Sequence, residues 1–459
     1  MVFGGNEPTI HRNADRGGKS YIGVHHVFMQ ITNSLLVQEP LNMINNESSP
    51  LHRVLEFATR YVPRYRKLPL IVEEFPVTRK QDLLRNLPDY LAESQGIDKG
   101  RLVEFLQNCS RRKQGGATES IFEGRVIVEE TSGTSGIPFG IPKTVEERTR
   151  CSIGIWNYRR SYDTLATPRR FYPFVHEPAG FLHSVSPRLF SKDNISQLYR
   201  DLSTKGFRWI HGTPGLLERH AAAMPETLRA AHTIRFAESS GWSLIPDIRQ
   251  MIEARMNLTV VDQYGCREVW AIGTRVGNDP FRTVRDNVYV EILDDADQPI
   301  RQPGQEGHIV VTSLVQRLMP FIRYDTGDIG EWSSADPSFG FRLSDARQQN
   351  LLSAGEKKIS GNSLFRSILI FAYRNIGNLP VSYIQIRQIG ARQFVVITNR
   401  FPGATTLAKA VESLFNERKI LPAPAVFTSL QLEEQEIQLA LERKPMLFFA
   451  QQVEDAPER

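Results

Sequence analysis

From Ile195 into Glu268 the chain reads ISQLYRDLSTKG, FRWIHGTPG, LLERHAAAM, TIRFAESSGW, IPDIRQMIEARM and LTVVDQYGCREV, helix-like and strand-like segments in turn. No other feature constrains the fold as much. Alternation of this kind predicts an α/β architecture around a largely parallel sheet, in which ligands are expected at the carboxyl ends of the strands.

The flanking sequence predicts further elements. Apolar positions Val54, Leu55, Phe57, Ala58 and Val62 recur at helical spacing between Leu51 and Arg64, with Pro63 closing the segment. Thr78 is expected to cap a helix carrying Leu83 and Leu84. Arg125 to Glu129 alternates as a strand, and Cys151, Ile155, Tyr158, Tyr162 and Leu165 mark an amphipathic helix. The small-residue run TSGTSG, Thr131 to Gly136, is thereby expected between a strand and a helix.

Downstream, Val288 to Leu293 and His308 to Leu314 predict an antiparallel hairpin, the start of a smaller β-rich piece. Beyond about Ala346 a strand pair around SYIQIRQI and QFVVIT, a helix from Thr405 to Asn416 and a strand over Gln435 to Leu441 suit a small α+β domain. The expected organisation is an irregular lead-in over 1–45, a large domain over 46–346 and a small C-terminal domain over 347–459.

Composition narrows the function classes. With 459 residues, 41% apolar and 23% charged, the chain has the make-up of a soluble globular protein. A net charge of +5 and a pI near 9.0 suit an enzyme of anionic ligands, and no basic stripe interleaved with aromatics points to nucleic acid. Cys109, Cys151 and Cys266 are too few and too scattered for a disulfide framework or a zinc site, and the ten histidines show no metal-binding spacing. The N-terminus lacks the pattern of a signal peptide, and no apolar run approaches the roughly 20 residues that span a bilayer. The expectation is a cytoplasmic protein with no membrane partner, monomer or homodimer.

Three motifs carry chemistry. In Thr131-Ser132-Gly133-Thr134-Ser135-Gly136, glycines let several backbone N–H groups face one oxyanion while the hydroxyls add donors. A Walker P-loop would need Gly-Lys-Ser/Thr, whereas Lys143 lies seven residues beyond Gly136. In Tyr264-Gly265-Cys266-Arg267-Glu268, at a strand's carboxyl end, the glutamate is either a turn residue or a ligand for a phosphate-bridging divalent cation. In RYDTGD, Asp325 and Asp328 fit either an Asx turn or a carboxylate accepting ribose hydroxyls.

The ordered set TSGTSG with a following proline and lysine, TPGLLER, AESSGW, DQYGCREV, EILDDADQPIRQPGQEGHIVVTSL and MPFIRYDTGD resembles the adenylate-forming superfamily, in its phenylacetate-CoA-ligase-like branch. YVPRYR and FPVTRKQDLL also look like that branch, so the similarity runs from about residue 50 to 345. The resemblance implies a large adenylation domain of α/β subdomains plus a β-rich subdomain, followed by a small mobile α+β domain. It implies that a carboxylic acid, aromatic by preference, attacks the α-phosphorus of ATP, releasing pyrophosphate, after which a thiol of CoA or an acyl carrier protein displaces AMP. ATP and Mg2+ are the cofactors implied.

By matching motifs, Thr131 to Gly136 and Lys143 would bind ATP, the loop by its phosphates, and Arg267, Glu268 and Lys444 would be the catalytic residues. Glu238, Ser239 and Ser240 would border adenine, Tyr264 and Gly265 would lie against it, Glu268 would bind magnesium and Asp328 the ribose. Phe174, His176 and Trp242 would line the acyl pocket. The sequence departs from the family at three points. Arg267 replaces the threonine that faces the α-phosphate; Arg347 matches the hinge arginine, but Gln349 and Asn350 replace the acidic pair; Lys444, the nearest match to the catalytic lysine, follows Arg443 where glycine would be. Two alternatives stay open: a nucleotidyl transferase that leaves AMP on its product, as some relatives in the family do, and, from Arg267 and the altered hinge, a nucleotide-binding homologue without catalysis.

Overall fold

The structure is a computed structural model, and it describes residues 49–93, 96–111, 118–131, 139–173, 192–241, 244, 246–347, 351–354, 357–360, 384–390, 392–400, 403–417, 424–433 and 448–450. The expected lead-in over 1–45 lies outside these residues.

The first helix, α1 (Pro50–Tyr61), starts where the Ser49 hydroxyl accepts from the His52 amide at 3.1 Å, and it buries Val54, Leu55 and Ala58. The next, α2 (Lys80–Arg85), begins one residue later than the sequence predicts, with the Asp82 carboxylate accepting from the Arg79 amide. Thr78 does other work. Its amide donates to the Arg323 carbonyl at 2.8 Å and its carbonyl accepts from Asp325 at 3.0 Å, pinning the N-terminal segment to the RYDTGD motif. Helix α3 (Lys99–Ser110) is capped by Asp98 and turns Leu102, Leu106 and Cys109 into the same core.

A three-stranded antiparallel sheet follows: β1 (Thr118–Ile121), β2 (Val126–Glu130) and β3 (Gly140–Thr144). The TSGTSG run is thus bracketed by two paired strands, not by a strand and a helix. The reason is local: Gly140 to Thr144 pairs with β2 over five residues, and only at Thr144 does a capping box open α4 (Val145–Tyr162), with Glu147 Oε2 accepting from the Thr144 amide at 2.6 Å. Glu147 also accepts from the Arg317 and Leu318 amides, so the helix start is tied to a distant loop.

The alternating region forms a six-stranded sheet. Strands β4 (Phe171–Pro173), β5 (Trp209–Gly212), β6 (Phe236–Ser240) and β7 (Thr259–Cys266) are parallel neighbours in that order, and β8 (Trp270–Val276) and β9 (Arg282–Thr283) extend the sheet antiparallel. Helices α5 (Lys192–Thr204), α6 (Pro214–Ala223) and α7 (Pro246–Met256) occupy the connections. Their apolar faces pack with Ile210, Ala237 and Val260 in one core. The order of elements follows the sequence expectation segment by segment.

A four-stranded antiparallel sheet comes next: β10 (Val288–Leu293), β11 (Gly307–Ser313), β12 (Tyr324–Trp332) and β13 (Phe341–Arg347). The expected β10/β11 hairpin is present, with Val288 opposite Ser313 and Leu293 opposite His308. Then β14 (Leu351–Ala354) and β15 (Lys357–Ser360) pair with each other. The last sheet joins β16 (Ile384–Gly390), β17 (Gln393–Asn399), β18 (Val426–Leu432) and β19 (Phe448–Ala450), with α8 (Ala404–Glu417) between β17 and β18. Strand β18 was not anticipated, and the strand expected over 435–441 lies outside the described residues.

Candidate active site

The strand-borne motifs meet where β7, the antiparallel sheet and the β2/β3 hairpin approach one another. β7 leaves the parallel sheet through a tight reversal, Arg267 to Val269, and returns as β8. Gly265 makes that reversal possible. A Cβ there would stand 1.9 Å from the Trp270 carbonyl oxygen, so no larger residue fits without moving the backbone.

The structure separates the two aspartates of RYDTGD. Asp325 closes the turn, its Oδ1 accepting from the Gly327 amide at 2.8 Å, with Arg79 3.7 Å from its Oδ2. Asp328 faces β7: its Oδ2 accepts from the Tyr264 hydroxyl at 2.9 Å, with Thr326 Oγ1 3.3 Å from the same hydroxyl. Burial and the neighbouring Asp328 charge hold the Tyr264 phenol well above its ordinary pKa, so it stays a donor. The Tyr264 ring packs against Phe281 and Phe341, each with centroids 5.9 Å away.

Glu268 is buried in the reversal. Its Oε1 accepts from the Tyr324 hydroxyl at 2.8 Å, and its backbone carbonyl accepts from Gln316 Nε2 at 2.7 Å. Burial, with Glu268 adding to it, raises the Tyr324 phenol. Burial lowers the Lys80 ammonium, while the Glu268 charge opposes that. Among the described residues no group of three His, Cys, Asp or Glu side chains is arranged to hold a metal. A lone carboxylate of this kind suits Mg2+ that takes its remaining ligands from phosphate and water.

Lys143 is fully buried. Its ammonium donates to Glu129 Oε2 at 3.0 Å and to the Arg267 carbonyl at 2.9 Å, joining the hairpin that flanks TSGTSG to the reversal that carries Glu268. Glu129 also meets Arg148 at 3.1 Å and the Trp270 indole at 2.8 Å. Burial alone would raise the Glu129 carboxyl, but the charges of Lys143 and Arg148 overcome it and hold the group down to about 2. The engaged ammonium braces the backbone of the site. At the neck of the motif, the Thr131 amide donates to the Phe139 carbonyl at 2.9 Å and Thr131 Oγ1 accepts from the Phe139 amide at 3.0 Å.

Glu238 is likewise an anchor. Arg159 holds it with two bonds of 2.8 Å, and the Tyr158 hydroxyl donates at 2.7 Å. Its neighbours differ. Ser240 Oγ pairs with His211 Nε2 at 2.7 Å, whereas the buried Ser239 hydroxyl has no partner among the described residues, and neither does that of Thr213. Gly212 and Ser239 are register partners, so the two unsatisfied hydroxyls belong to the carboxyl ends of adjacent parallel strands. Buried polar groups are normally paired, and this pair of orphans suits a ligand at the sheet's carboxyl edge. Thr213 was not singled out from the sequence, although TPGLLER contains it.

Ser132, Gly133, Thr134, Ser135, Gly136, Phe174, His176, Trp242 and Lys444 lie outside the described residues, and Arg347 is described for its backbone alone, at the end of β13.

No protein-family model matches the chain. A segment of 88 residues is 35% identical to the phenylacetate-coenzyme A ligase of Aromatoleum evansii, and one of 87 residues is 31% identical to that of Pseudomonas putida. Each match takes in 18% of this chain and spans 20% of the curated relative's length. Across 90% of this chain and 98% of the other, the structure matches 2-hydroxyisobutyryl-CoA ligase in the postadenylation state in complex with 2-HIB-AMP, with a TM-score of 0.53 at 16% identity. An open conformation of that ligase in complex with 2-HIB-AMP and CoA gives 0.51 at 15% identity, over 86% of this chain and 94% of the other. The fold is that of an adenylate-forming ligase. The resemblance drawn from the six ordered motifs agrees with these matches. Among the described residues no helix is long and apolar enough to cross a membrane.

Proposed function

We propose that the chain is an ATP-dependent acid-CoA ligase. A substrate carboxylate oxygen attacks the α-phosphorus of ATP, the bond to the β-phosphate oxygen breaks, and acyl-AMP and pyrophosphate form. A thiol then attacks the acyl carbon and AMP departs. The observation that carries this reading is the convergence of two acidic side chains about Cys266, Asp328 from β12 fixed by Tyr264 and Glu268 from the β7–β8 turn fixed by Tyr324.

In this reading Asp328 accepts the ribose hydroxyls and Tyr264 fixes its carboxylate while offering a ring face to the base. Backbone N–H groups and hydroxyls of Thr131 to Gly136 hold phosphate, and Thr213 and Ser239 supply the buried hydroxyls that meet the nucleotide or acid. Glu268 would hold Mg2+, which when bound neutralises phosphate charge. Lys143 keeps the Arg267 carbonyl, and with it Glu268, at a fixed distance from the hairpin. Such chemistry is chiefly positioning and charge stabilisation, which favours a braced turn over a mobile one.

The 88-residue match to phenylacetate-coenzyme A ligases supports an aromatic acid bound near Phe174, His176 and Trp242, and CoA as the acceptor ahead of a carrier-protein thiol. A division into a large domain over 46–346 and a mobile one over 347–459, with Arg347 at the hinge and Lys444 bridging carboxylate and phosphate, belongs to the same proposal. A monomer or homodimer in the cytoplasm completes it. Pyrophosphate exchange into ATP, measured across a panel of aromatic and aliphatic acids, tests it. Exchange that depends on one acid class is expected; nucleotide binding with no acid-dependent exchange would overturn it.

A further inference from the structure

Three adjacent parallel strands carry a polar side chain near their carboxyl ends on one face of the sheet: His211 in β5, Ser240 in β6 and Gln263 in β7. Each is half-buried. Ser240 and Gln263 are register partners, and His211 Nε2 meets Ser240 Oγ at 2.7 Å. Strand alternation puts the three on the same face as Trp209, Phe236 and Val261, which pack with Trp156 of α4.

The row is uncharged. Beneath it Arg159 holds Glu238 with two bonds, and burial keeps the His211 imidazole below its ordinary pKa, the Glu238 charge opposing. The Tyr158 hydroxyl stands 2.7 Å from Glu238 Oε2 and 2.9 Å from Gln263 Oε1, but it has one proton to give. The ionised carboxylate is the stronger acceptor, so the Gln263 carboxamide keeps hydrogen-bonding capacity for a ligand. An aromatic wall stands alongside: the Phe171 ring lies over His211, nearly parallel at 23°, with centroids 6.1 Å apart. Strand β4 leads directly into Phe174, and β6 leads past Gly241 into Trp242.

We infer that, in the adenylation site proposed above, on which this rests, His211, Ser240 and Gln263 select an aromatic acid carrying a hydroxyl or amino group on its ring. A bare ring would exclude water from these groups and meet none of them, which is how a site built for a hydrogen bond rejects an analogue that lacks it. A second carboxylate fits worse, because Arg159, the cation beneath the row, is committed to Glu238. The resemblance puts Ser240 beside adenine; its place between His211 and Gln263 assigns it to the acid instead.

Pyrophosphate exchange by the full chain tests it, with 3- and 4-hydroxyphenylacetate and 3- and 4-aminobenzoate set against unsubstituted phenylacetate and benzoate. One substituted acid is expected to exceed its unsubstituted counterpart about tenfold or more in kcat/KM. Gln263→Leu and Ser240→Ala should each cut that ratio about fivefold or more, by loss on the substituted acid alone, with KM for ATP and Tm unchanged. Calorimetry of the same acids needs no turnover and reads the ratio in Kd. Selective binding without exchange keeps the substituent assignment and removes the adenylation reading. Preference for the unsubstituted acids, a ratio unmoved in both variants, or no acid bound in either assay overturns the assignment. A raised KM for ATP in the variants with the acid ratio unmoved also overturns it, and gives the row to adenine.

Discussion

Replacing Lys143 by methionine removes the positive charge beneath the site while keeping the side chain's length and apolar stem. Glu129 then keeps Arg148 at 3.1 Å and the Trp270 indole, but loses its fully buried partner, and the Arg267 carbonyl loses its donor. Breaking one side of a buried ion pair costs about 3–5 kcal/mol. The carboxyl itself gives a second measure. Held at about 2 in the fold against an ordinary value of about 4.3, at about 1.4 kcal/mol for each pH unit, its charged state contributes about 3 kcal/mol. With Arg148 still present, the lower end applies. A loss of about 3 kcal/mol, at an unfolding entropy of about 2.1 cal/mol/K per residue, corresponds to a fall in Tm of roughly 3–5 °C in a chain of this size.

Scanning calorimetry reads that directly, and the double variant Glu129→Gln with Lys143→Met should regain part of the loss, since it no longer buries an under-paired charge. The sign with pH follows from a carboxyl whose folded pKa is depressed. Its contribution is complete above the ordinary glutamate value and is lost as pH falls toward about 2, so in Lys143→Met, whose Glu129 carboxyl moves back up toward the ordinary value, less stability is left to lose across that interval. At 20 °C, where the variant is folded, KM for magnesium-ATP should rise about tenfold because the turn that holds Glu268 has lost its brace. A Tm within 2 °C of the parent, or an unchanged KM, would refute the bracing argument.

Asp328→Asn should raise KM for ATP by about ten- to a hundredfold, the worth of charge-assisted hydrogen bonds of about 1.5–3 kcal/mol, with Tm little changed; steady-state kinetics beside calorimetry separates the two. Gly265→Ala should lower stability by several kcal/mol or prevent folding, because its Cβ would lie 1.9 Å from the Trp270 carbonyl oxygen; a soluble variant with the parent Tm would contradict that geometry. Burial pushes His220 down to about 4, so the neutral ring stabilises the fold above the ordinary histidine value of about 6.5 and that contribution, about 3 kcal/mol, is lost as pH falls toward 4. His220→Gln should flatten urea midpoints measured across that interval.

The sequence made the alternating core legible because each segment from Ile195 to Glu268 carries its own period, and every one of those elements appears in the sheet or against it. The order β2, loop, β3, helix was missed for a physical reason. GIPKT contains a proline and a glycine and carries no alternation, and its strand character comes from pairing with Val126 to Glu130, not from its own residues. The residue type of Thr78 points to a cap, but the tertiary bridge to Arg323 and Asp325 decides its role. In the candidate site, Tyr264, Glu268 and Asp328 were visible as motif letters, but which of two aspartates faces the tyrosine depends on the Gly327 turn. Tyr324 was visible as a letter without a role. The bracing pairs Lys143 with Arg267 and Arg159 with Glu238 join positions 124 and 79 residues apart, and no local pattern announces them.

The central claim is that a carboxylate oxygen attacks the α-phosphorus of ATP. An acid labelled with 18O in its carboxylate, chosen from those that support pyrophosphate exchange, tests it when turned over with ATP, Mg2+ and CoA and the AMP is weighed by mass spectrometry. One labelled oxygen transferred to AMP for each thioester formed is the predicted result. Unlabelled AMP, or release of ADP in place of AMP, would contradict the account.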